Sequence, residues 1–97
     1  MIGPIHPGAT LFEDFMEPHG LGAGGLARAL DIPQNRVSDI VRGRRGITAD
    51  TALRLQQALG VSAAFWVNLQ SHYELEVAER DNGAAIRKAV KGVPGAA

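Results

Sequence analysis

Apolar residues recur at intervals of three and four along most of the chain, which is the spacing of the buried face of an amphipathic helix. The first such segment begins at Pro7 and Gly8 and ends at Pro18 and Gly20, with acidic residues on its outer side. Its inward positions are Leu11, Phe12, Phe15 and Met16. The sequence shows no alternating strand pattern, so we expect an all-α fold.

Two short helices are predicted next, and they are joined by a very short connection. Their apolar positions are Leu26, Ala27 and Leu30, then Val37, Ile40 and Val41. Pro33 suits the first turn of the third helix, and Gly43 ends that helix. Asp31 lies in the connection, where Asp is one of the few residues that tolerate a left-handed backbone. So short a connection forces a sharp angle between the helices, which is typical of a helix-turn-helix unit.

Two further helices complete the pattern. Thr48 is a good N-cap for the fourth helix, and Ser62 is a good N-cap for the fifth and longest one. The apolar stripe of the fifth helix consists of Phe65, Trp66, Leu69, Tyr73 and Val77. Such a stripe can seal the core of the bundle or form a dimer surface. We expect both uses, with the first half of the helix capping the bundle and the second half exposed to a partner.

The end of the fifth helix sets the predicted domain organisation. We expect this helix to end near Arg80, because the Asp-Asn-Gly run over residues 81–83 favours a break. The sequence therefore predicts one helix-turn-helix domain with its C-terminal helix over residues 1–81. A basic tail follows over residues 82–97, and the sequence leaves its order open.

Composition narrows the class of protein. A chain of 97 residues supports one core, which must be filled mostly by Leu, Val, Ile and Ala because only 5% of the residues are aromatic. The absence of cysteine excludes disulfides, thiolate zinc sites and cysteine nucleophiles. No secretory signal pattern opens the sequence, and no apolar stretch has membrane length. We therefore expect a soluble, cytoplasmic protein without a membrane partner.

The formal net charge of the chain is zero, but the charges are unevenly distributed. Residues 1–27 and 55–81 each carry a net charge of −3, whereas residues 28–54 and 82–97 each carry +3. A local basic patch attracts phosphate over about 8 Å at physiological salt, so the position of the arginines matters more than the total. The basic middle segment coincides with the predicted helix-turn-helix unit, which indicates binding to duplex DNA.

The outward face of the third helix carries side chains that can read base edges in a major groove. The predicted base-reading residues are Gln34, Asn35, Arg36, Ser38 and Asp39. The predicted phosphate-binding residues are Arg42, Arg44, Arg45 and Thr48, with Arg28 and Arg54 as further candidates. Asp39 would repel phosphate, so it either accepts a hydrogen bond from cytosine N4 or pairs with Arg42 or Arg36. The alternative interpretation is a polar face that contacts only solvent.

The sequence contains no arrangement typical of an enzyme or a metal site. Its histidines are His6, His19 and His72. They are too scattered for an obvious metal site. No serine lies in a Gly-x-Ser-x-Gly turn, and the neighbouring carboxylates of Glu13 and Asp14 point to different sides of a helix. We therefore expect no catalysis, no metal and no cofactor.

Several sequence blocks together resemble the HigA family of antitoxins. They are His6-Pro7-Gly8, Leu11, Glu13-Asp14-Phe15, Glu17-Pro18, Leu26-Ala27, Arg44-Arg45-Gly46-Ile47-Thr48, Asp50-Thr51-Ala52-Leu53-Arg54-Leu55 and Phe65-Trp66-Val67-Asn68-Leu69-Gln70. The similarity extends from about His6 to Glu79. The sequence departs from the family pattern at residues 22–25 (Gly-Ala-Gly-Gly), where relatives have a polar start to the second helix. This departure favours backbone N–H groups over side chains as phosphate ligands there.

The resemblance implies an Xre-type, lambda-repressor-like bundle of five helices that forms a homodimer through its C-terminal part. It further implies binding to palindromic operator DNA, repression of the protein's own operon, and neutralisation of a HigB-type mRNA-cleaving toxin. Two alternatives stay open. One is a stand-alone Xre-type regulator without a toxin, and the other is a helical module that binds proteins through the acidic surfaces of its first and fifth helices.

Overall fold

The computed structural model describes residues 3–96. Helix α1 spans Pro7–Thr10 and continues as a wider π-helical segment over Leu11–Met16. The other helices are α2 (Ala23–Leu30), α3 (Gln34–Val41), α4 (Ala49–Leu59) and α5 (Ala63–Ala89). With α1 and its π-helical extension counted as one helix, the described residues form five helices and no strand, which confirms the predicted fold class. None of these helices is long and apolar enough to span a membrane.

The hydrophobic core receives side chains from every helix. Its buried apolar residues are Leu11, Met16, Leu26, Ala27, Leu30, Val37, Ile40, Ile47, Ala52, Leu55 and Trp66. These positions follow the predicted inward stripes, except that Phe12 and Phe65 are each 37% exposed. Phe12 is exposed because the π-helical segment, with its i→i+5 hydrogen bonds, is wound more widely than an α-helix, so that Leu11 and Met16 occupy the inner side.

The sharp turn between α2 and α3 is built on a left-handed residue. Asp31 has φ 57° and ψ 49°, and the N–H of Ile32 donates to the carbonyl oxygen of Ala27 at 3.1 Å. This six-residue closure satisfies a carbonyl at the end of α2 that would otherwise lack a partner. Pro33 follows as the N-cap of α3, one residue before the first helical position. The predicted role of Asp31 in the turn is therefore confirmed.

The N-terminus of α1 packs directly on the end of α3. His6 caps α1, since its Nδ1 accepts a hydrogen bond from the N–H of Gly8 at 2.9 Å. Partial burial lowers the pKa of His6, which favours the neutral ring that can accept this bond. Gly8 is buried, and a Cβ atom at this position would overlap the carbonyl oxygen of Ile40 and lie 3.0 Å from the Cα of Val41. The two helices can approach this closely only because residue 8 is glycine.

Helix α5 is longer than the sequence predicts. It extends to Ala89, so the expectation that it ends near Arg80 is wrong. Glycine costs a helix about 1 kcal/mol relative to alanine, but Gly83 is followed by strong helix formers. Glu79 and Arg87, two turns apart, form a paired ion contact over Gly83, with nitrogen–oxygen distances of 2.8 and 2.9 Å. A Cβ atom on Gly83 would overlap the Glu79 carboxylate, so the glycine makes room for this pair.

The length of α5 gives the molecule an elongated shape. A helix of 27 residues is about 40 Å long, and the whole molecule measures 52 × 29 × 21 Å. The first half of α5 packs on α4, whereas beyond Val77 its side chains are exposed. The first part of the predicted basic tail, residues 82–89, is therefore helical.

Candidate nucleic-acid interface

The helix-turn-helix unit consists of α2, the turn over residues 31–33 and α3, and Arg54 of α4 contacts its turn. The Arg54 Nη1 donates to the carbonyl oxygens of Leu30 at 2.9 Å and of Asp31 at 3.3 Å. Its Nε donates to Asp50 at 2.9 Å, and this hydrogen bond and the Asp50 charge raise the pKa of Arg54. Arg54 thus fixes the turn, a role that sequence reasoning missed. Only the four-residue spacing from Asp50 pointed to any partner for it.

The outward side of α3 collects the predicted base-reading residues. Val37 and Ile40 face the core, which leaves the polar residues on the opposite side of the helix. Gln34 and Asn35 are exposed at the first turn, and Arg36, Ser38 and Asp39 are half-buried. The first turns of a recognition helix are the part that contacts base edges in a major groove. The structure therefore brings these residues together on one side of α3, and their contact with bases stays a prediction.

The glycine-rich start of α2 accommodates one of these residues. A Cβ atom on Gly24 would lie 3.1 Å from Oε1 of Gln34, so the Gln34 side chain rests on the backbone of α2. Gly22 is the N-cap of α2, and no side chain in the described part of the protein caps this end. The Gly-Ala-Gly-Gly sequence thus supplies no polar side chain of its own to cap the N–H groups at the start of α2.

The arginine loop, which we define as residues 42–48, continues this surface beyond α3. Gly43 has φ 75°, and the chain turns back so that the N–H groups of Arg44 and Arg45 both donate to the carbonyl oxygen of Asp39, at 2.8 and 3.2 Å. Arg42, Arg44 and Arg45 are exposed. The three predicted phosphate-binding arginines therefore lie directly beside the outward side of α3.

The acidic residue of this surface has a different partner from those expected. The Asp39 carboxylate lies 4.0 Å from the guanidinium of Arg45. Neither Arg42 nor Arg36 forms an ion pair with it in the described structure, so the predicted pairing with these residues is wrong. The reason is the left-handed turn at Gly43, which folds Arg45 back over the last turn of α3. Arg36 lies instead 4.0 Å from Asp50 of α4.

Thr48 begins α4, as predicted. Its Oγ1 accepts a hydrogen bond from the N–H of Thr51 at 3.2 Å, which satisfies one of the free donors of the first turn. The residue itself is exposed at the end of the arginine loop. Its capping role is confirmed, and its contact with phosphate stays a prediction.

The aromatic stripe of α5 divides between the core and the surface. Trp66 is fully buried, and its ring packs edge-on against Phe15 at a centroid distance of 5.0 Å. Leu69 is partly buried, Phe65 is 37% exposed, and the Tyr73 ring packs on the His6 ring at 4.9 Å. The core role of Trp66 is confirmed, and the role of the other residues in a dimer stays a prediction.

Gln70 is a second residue that sequence reasoning missed. Its side chain on α5 accepts a hydrogen bond from the N–H of Ile47 in the arginine loop. The two residues are separated by 23 positions in sequence, so no local pattern indicates the contact. The only signal was the position of Gln70 at the end of the Phe-Trp-x-Asn-Leu-Gln block.

Comparison with known proteins shows close relatives over most of the chain. The chain is 51% identical over 77 residues to virulence-associated protein I of Dichelobacter nodosus, which covers 79% of this chain and 71% of that protein. It is 36% identical over 72 residues to antitoxin HigA-1 of Vibrio cholerae, which covers 74% of this chain and 68% of that protein.

Solved structures show the same fold. The chain matches an addiction module antidote protein of a HigA family from Coxiella burnetii with a TM-score of 0.90 and 43% identity, covering 95% of this chain and 100% of that one. It matches the Pseudomonas aeruginosa antitoxin HigA, solved with the higBA promoter, with a TM-score of 0.90 and 43% identity, covering 93% and 98%.

The fold and the polar side of α3 together define a helix-turn-helix protein. The helix-turn-helix family model matches residues 15–66, which include the turn and both of its helices. The chain belongs to the HigA-type antitoxins of the Xre helix-turn-helix family. The resemblance that the sequence blocks carry is thereby confirmed.

Proposed function

We propose that the protein binds palindromic operator DNA as a homodimer, represses its own operon and neutralises a HigB-type mRNA-cleaving toxin. The observation that carries the DNA-binding role is the continuous surface formed by the outward side of α3 and the arginine loop. A similar antitoxin, HigA of Pseudomonas aeruginosa, was solved with promoter DNA, which supports DNA binding by this chain. The antitoxin names of the relatives support the toxin-neutralising role.

In the proposed complex, α3 lies in the major groove. Gln34 and Asn35 have the chemistry to pair with adenine, and Arg36 has the chemistry to pair with guanine. Ser38 and Asp39 complete the proposed base-reading set. Arg42, Arg44, Arg45 and Thr48 are proposed to bind phosphates and thereby position the helix without reading sequence. The N–H groups at the start of α2 are proposed as further phosphate ligands, because a helix N-terminus attracts anions.

All of these proposed roles concern binding to DNA or to another protein, and the location of these partners indicates where the protein acts. We infer that the chain has no catalytic activity, because its relatives are regulators and antitoxins. Operator DNA and a toxin that cleaves mRNA are cytoplasmic partners in a bacterium. We therefore propose a cytoplasmic location.

The decisive experiment is a fluorescence anisotropy titration of the purified protein with its own promoter DNA and with scrambled DNA, over a series of salt concentrations. We expect tight binding to the promoter, and a log-log salt slope of about −0.9 per phosphate contact. Equal, weak binding to both DNAs would contradict the repressor role and favour a protein-binding module.

A growth-rescue experiment tests the antitoxin role: this chain is expressed in cells that also express the toxin of the same operon. Operator binding without rescue would indicate a stand-alone regulator.

A further inference from the structure

We propose that Gln70 is a positioning residue for DNA binding: it ties the arginine loop to α5 and so holds Arg44 and Arg45 in place for phosphate. This inference rests on the proposed DNA-binding function. It concerns a residue that lies outside the helix-turn-helix unit and makes no contact with DNA in the proposed complex.

The Gln70 side-chain amide forms two hydrogen bonds, one through its oxygen and one through its nitrogen. Its Oε1 accepts from the N–H of Ile47 at 2.8 Å, and its Nε2 donates to the carboxylate of Glu74 at 2.9 Å. The orientation of the amide follows from these partners. A backbone N–H can only donate and an ionised carboxylate can only accept, so the oxygen must face Ile47 and the nitrogen must face Glu74.

The arginine loop is shaped to receive this amide. A Cβ atom on Gly46 would lie 2.8 to 3.0 Å from the amide atoms of Gln70, so the loop backbone reaches Gln70 because residue 46 has no side chain. The side chain of the next residue, Ile47, is buried in the core. The second half of the loop is thus held by a buried side chain and by a hydrogen bond to α5.

The first half of the loop is held differently. There the N–H groups of Arg44 and Arg45 donate to the carbonyl oxygen of Asp39. The exposed arginines therefore lie between two anchors, one on α3 and one on α5. Without the α5 anchor the loop would sample more conformations, and the entropy lost on binding phosphate would be larger. Because phosphate contacts do not read sequence, affinity should fall equally for all DNA sequences.

The test uses three variants of the full chain. Gln70→Leu removes both hydrogen bonds and replaces the amide side chain with an apolar one of similar size. The double variant Gln70→Glu with Glu74→Gln reverses donor and acceptor, so that residue 70 can still accept from Ile47 while residue 74 donates to it. The net charge of this double variant equals that of the original protein. Gln57→Leu places the same substitution at an exposed position of α4 and serves as the control.

We expect Gln70→Leu to weaken binding to operator and to scrambled DNA by the same factor of about five to ten, which is the size of one lost hydrogen bond. The salt slope should stay unchanged, since the same phosphates are bound. Amide hydrogen exchange of Ile47 should become faster, and the double variant should recover both the affinity and the slow exchange. Gln57→Leu should change neither. Circular dichroism confirms that each variant is folded.

Two outcomes overturn the inference. If Gln70→Leu folds and binds both DNAs as tightly as the original protein, Gln70 does not position the loop. If it loses affinity for the operator alone, the residue acts on base reading by α3 instead. A different result, in which the unsubstituted protein binds neither DNA, overturns the proposed function and this role together. The titration of the unsubstituted protein therefore distinguishes the two failures.

Discussion

At the scale of single residues, the proposed DNA surface contains two kinds of arginine. Arg36 lies in the first turns of α3, and its guanidinium lies 4.0 Å from the Asp50 carboxylate. Arg44 lies in the arginine loop and is exposed. The first position suits a directional contact with a base, whereas the second suits a contact with the backbone charge of DNA.

We expect Arg36→Ala to relax the preference for one base pair of the operator and to cost about 1 to 3 kcal/mol of binding free energy. Arg44→Ala should instead weaken operator and scrambled DNA alike and reduce the magnitude of the salt slope by about 1. Anisotropy titrations against operators with single base-pair changes measure both effects. Lys91→Ala, which removes a positive charge beyond the end of α5, is the matched control. Equal losses on operator and scrambled DNA for Arg36→Ala would remove Arg36 from the base-reading set.

At the scale of helices, the orientation of α3 depends on the contact between its end and the start of α1. This contact is formed by the His-Pro-Gly block. His6 caps α1, and Pro7 is buried in the first turn of α1. Gly8 allows the backbone of α1 to approach the backbone of α3. The His6 ring also lies against Gly43, at the turn that ends α3. The His-Pro-Gly block is therefore a structural support for the recognition helix, although it is distant from it in sequence.

Gly8→Ala tests this support. The added Cβ would meet the main chain of α3, which cannot rotate out of the way as a side chain could. We expect the free energy of unfolding to fall by at least about 2 kcal/mol, since overpacking of a core typically costs about 1 to 3 kcal/mol. Urea unfolding followed by circular dichroism measures it. The control is Gly92→Ala, since nothing lies within 4 Å of a Cβ atom at that position. A Gly8→Ala protein as stable as the control would show that the helices can separate at little cost.

The features of the fold that could be predicted are those with local causes. The ends of α2 and α3 follow from residues that accept a left-handed backbone, Asp31 and Gly43, and the start of α4 follows from the capping hydroxyl of Thr48. Each of these signals acts within about one turn of the residue that carries it. The helix-turn-helix unit could therefore be predicted from the sequence.

The features that could not be predicted depend on residues far apart. The extension of α5 beyond Arg80 is accompanied by an ion pair that spans eight residues, from Glu79 to Arg87, across the glycine that was expected to break the helix. The contacts of Arg54 with the turn and of Gln70 with the loop join residues more than 20 positions apart. Periodicity and capping rules contain no information on such contacts, so the sequence did not identify the residues that support the candidate site.

At the scale of the whole molecule, the second half of α5 does not pack on the other helices and exposes apolar side chains among charged ones. The exposed apolar side chains here are Leu75 and Ile86 of α5 and Val90, the residue that follows the helix. A groove of about 550 Å³ lies beside Leu75, between α5 and the N-terminal segment at Gly3 and Pro4. Exposed apolar patches on a small domain mark surfaces that bind other proteins. A dimer formed there would present two recognition helices to the two halves of a palindrome, with half-site centres about 34 Å apart.

We expect Leu75→Arg to convert the protein from a dimer to a monomer, because the interface would have to bury a charged side chain in place of an apolar one. Leu75 is 70% exposed, so the substitution leaves the core of each subunit intact. Leu53→Arg is the matched control, since Leu53 is 59% exposed on α4. Light scattering coupled to size-exclusion chromatography measures the mass of each variant.

Operator affinity should fall by more than tenfold in the Leu75→Arg monomer. Each subunit then binds its half-site without the gain in effective concentration that a linked partner provides. A Leu75→Arg protein that stays dimeric and keeps its operator affinity would place the dimer interface on another face and leave the outer half of α5 free for the toxin.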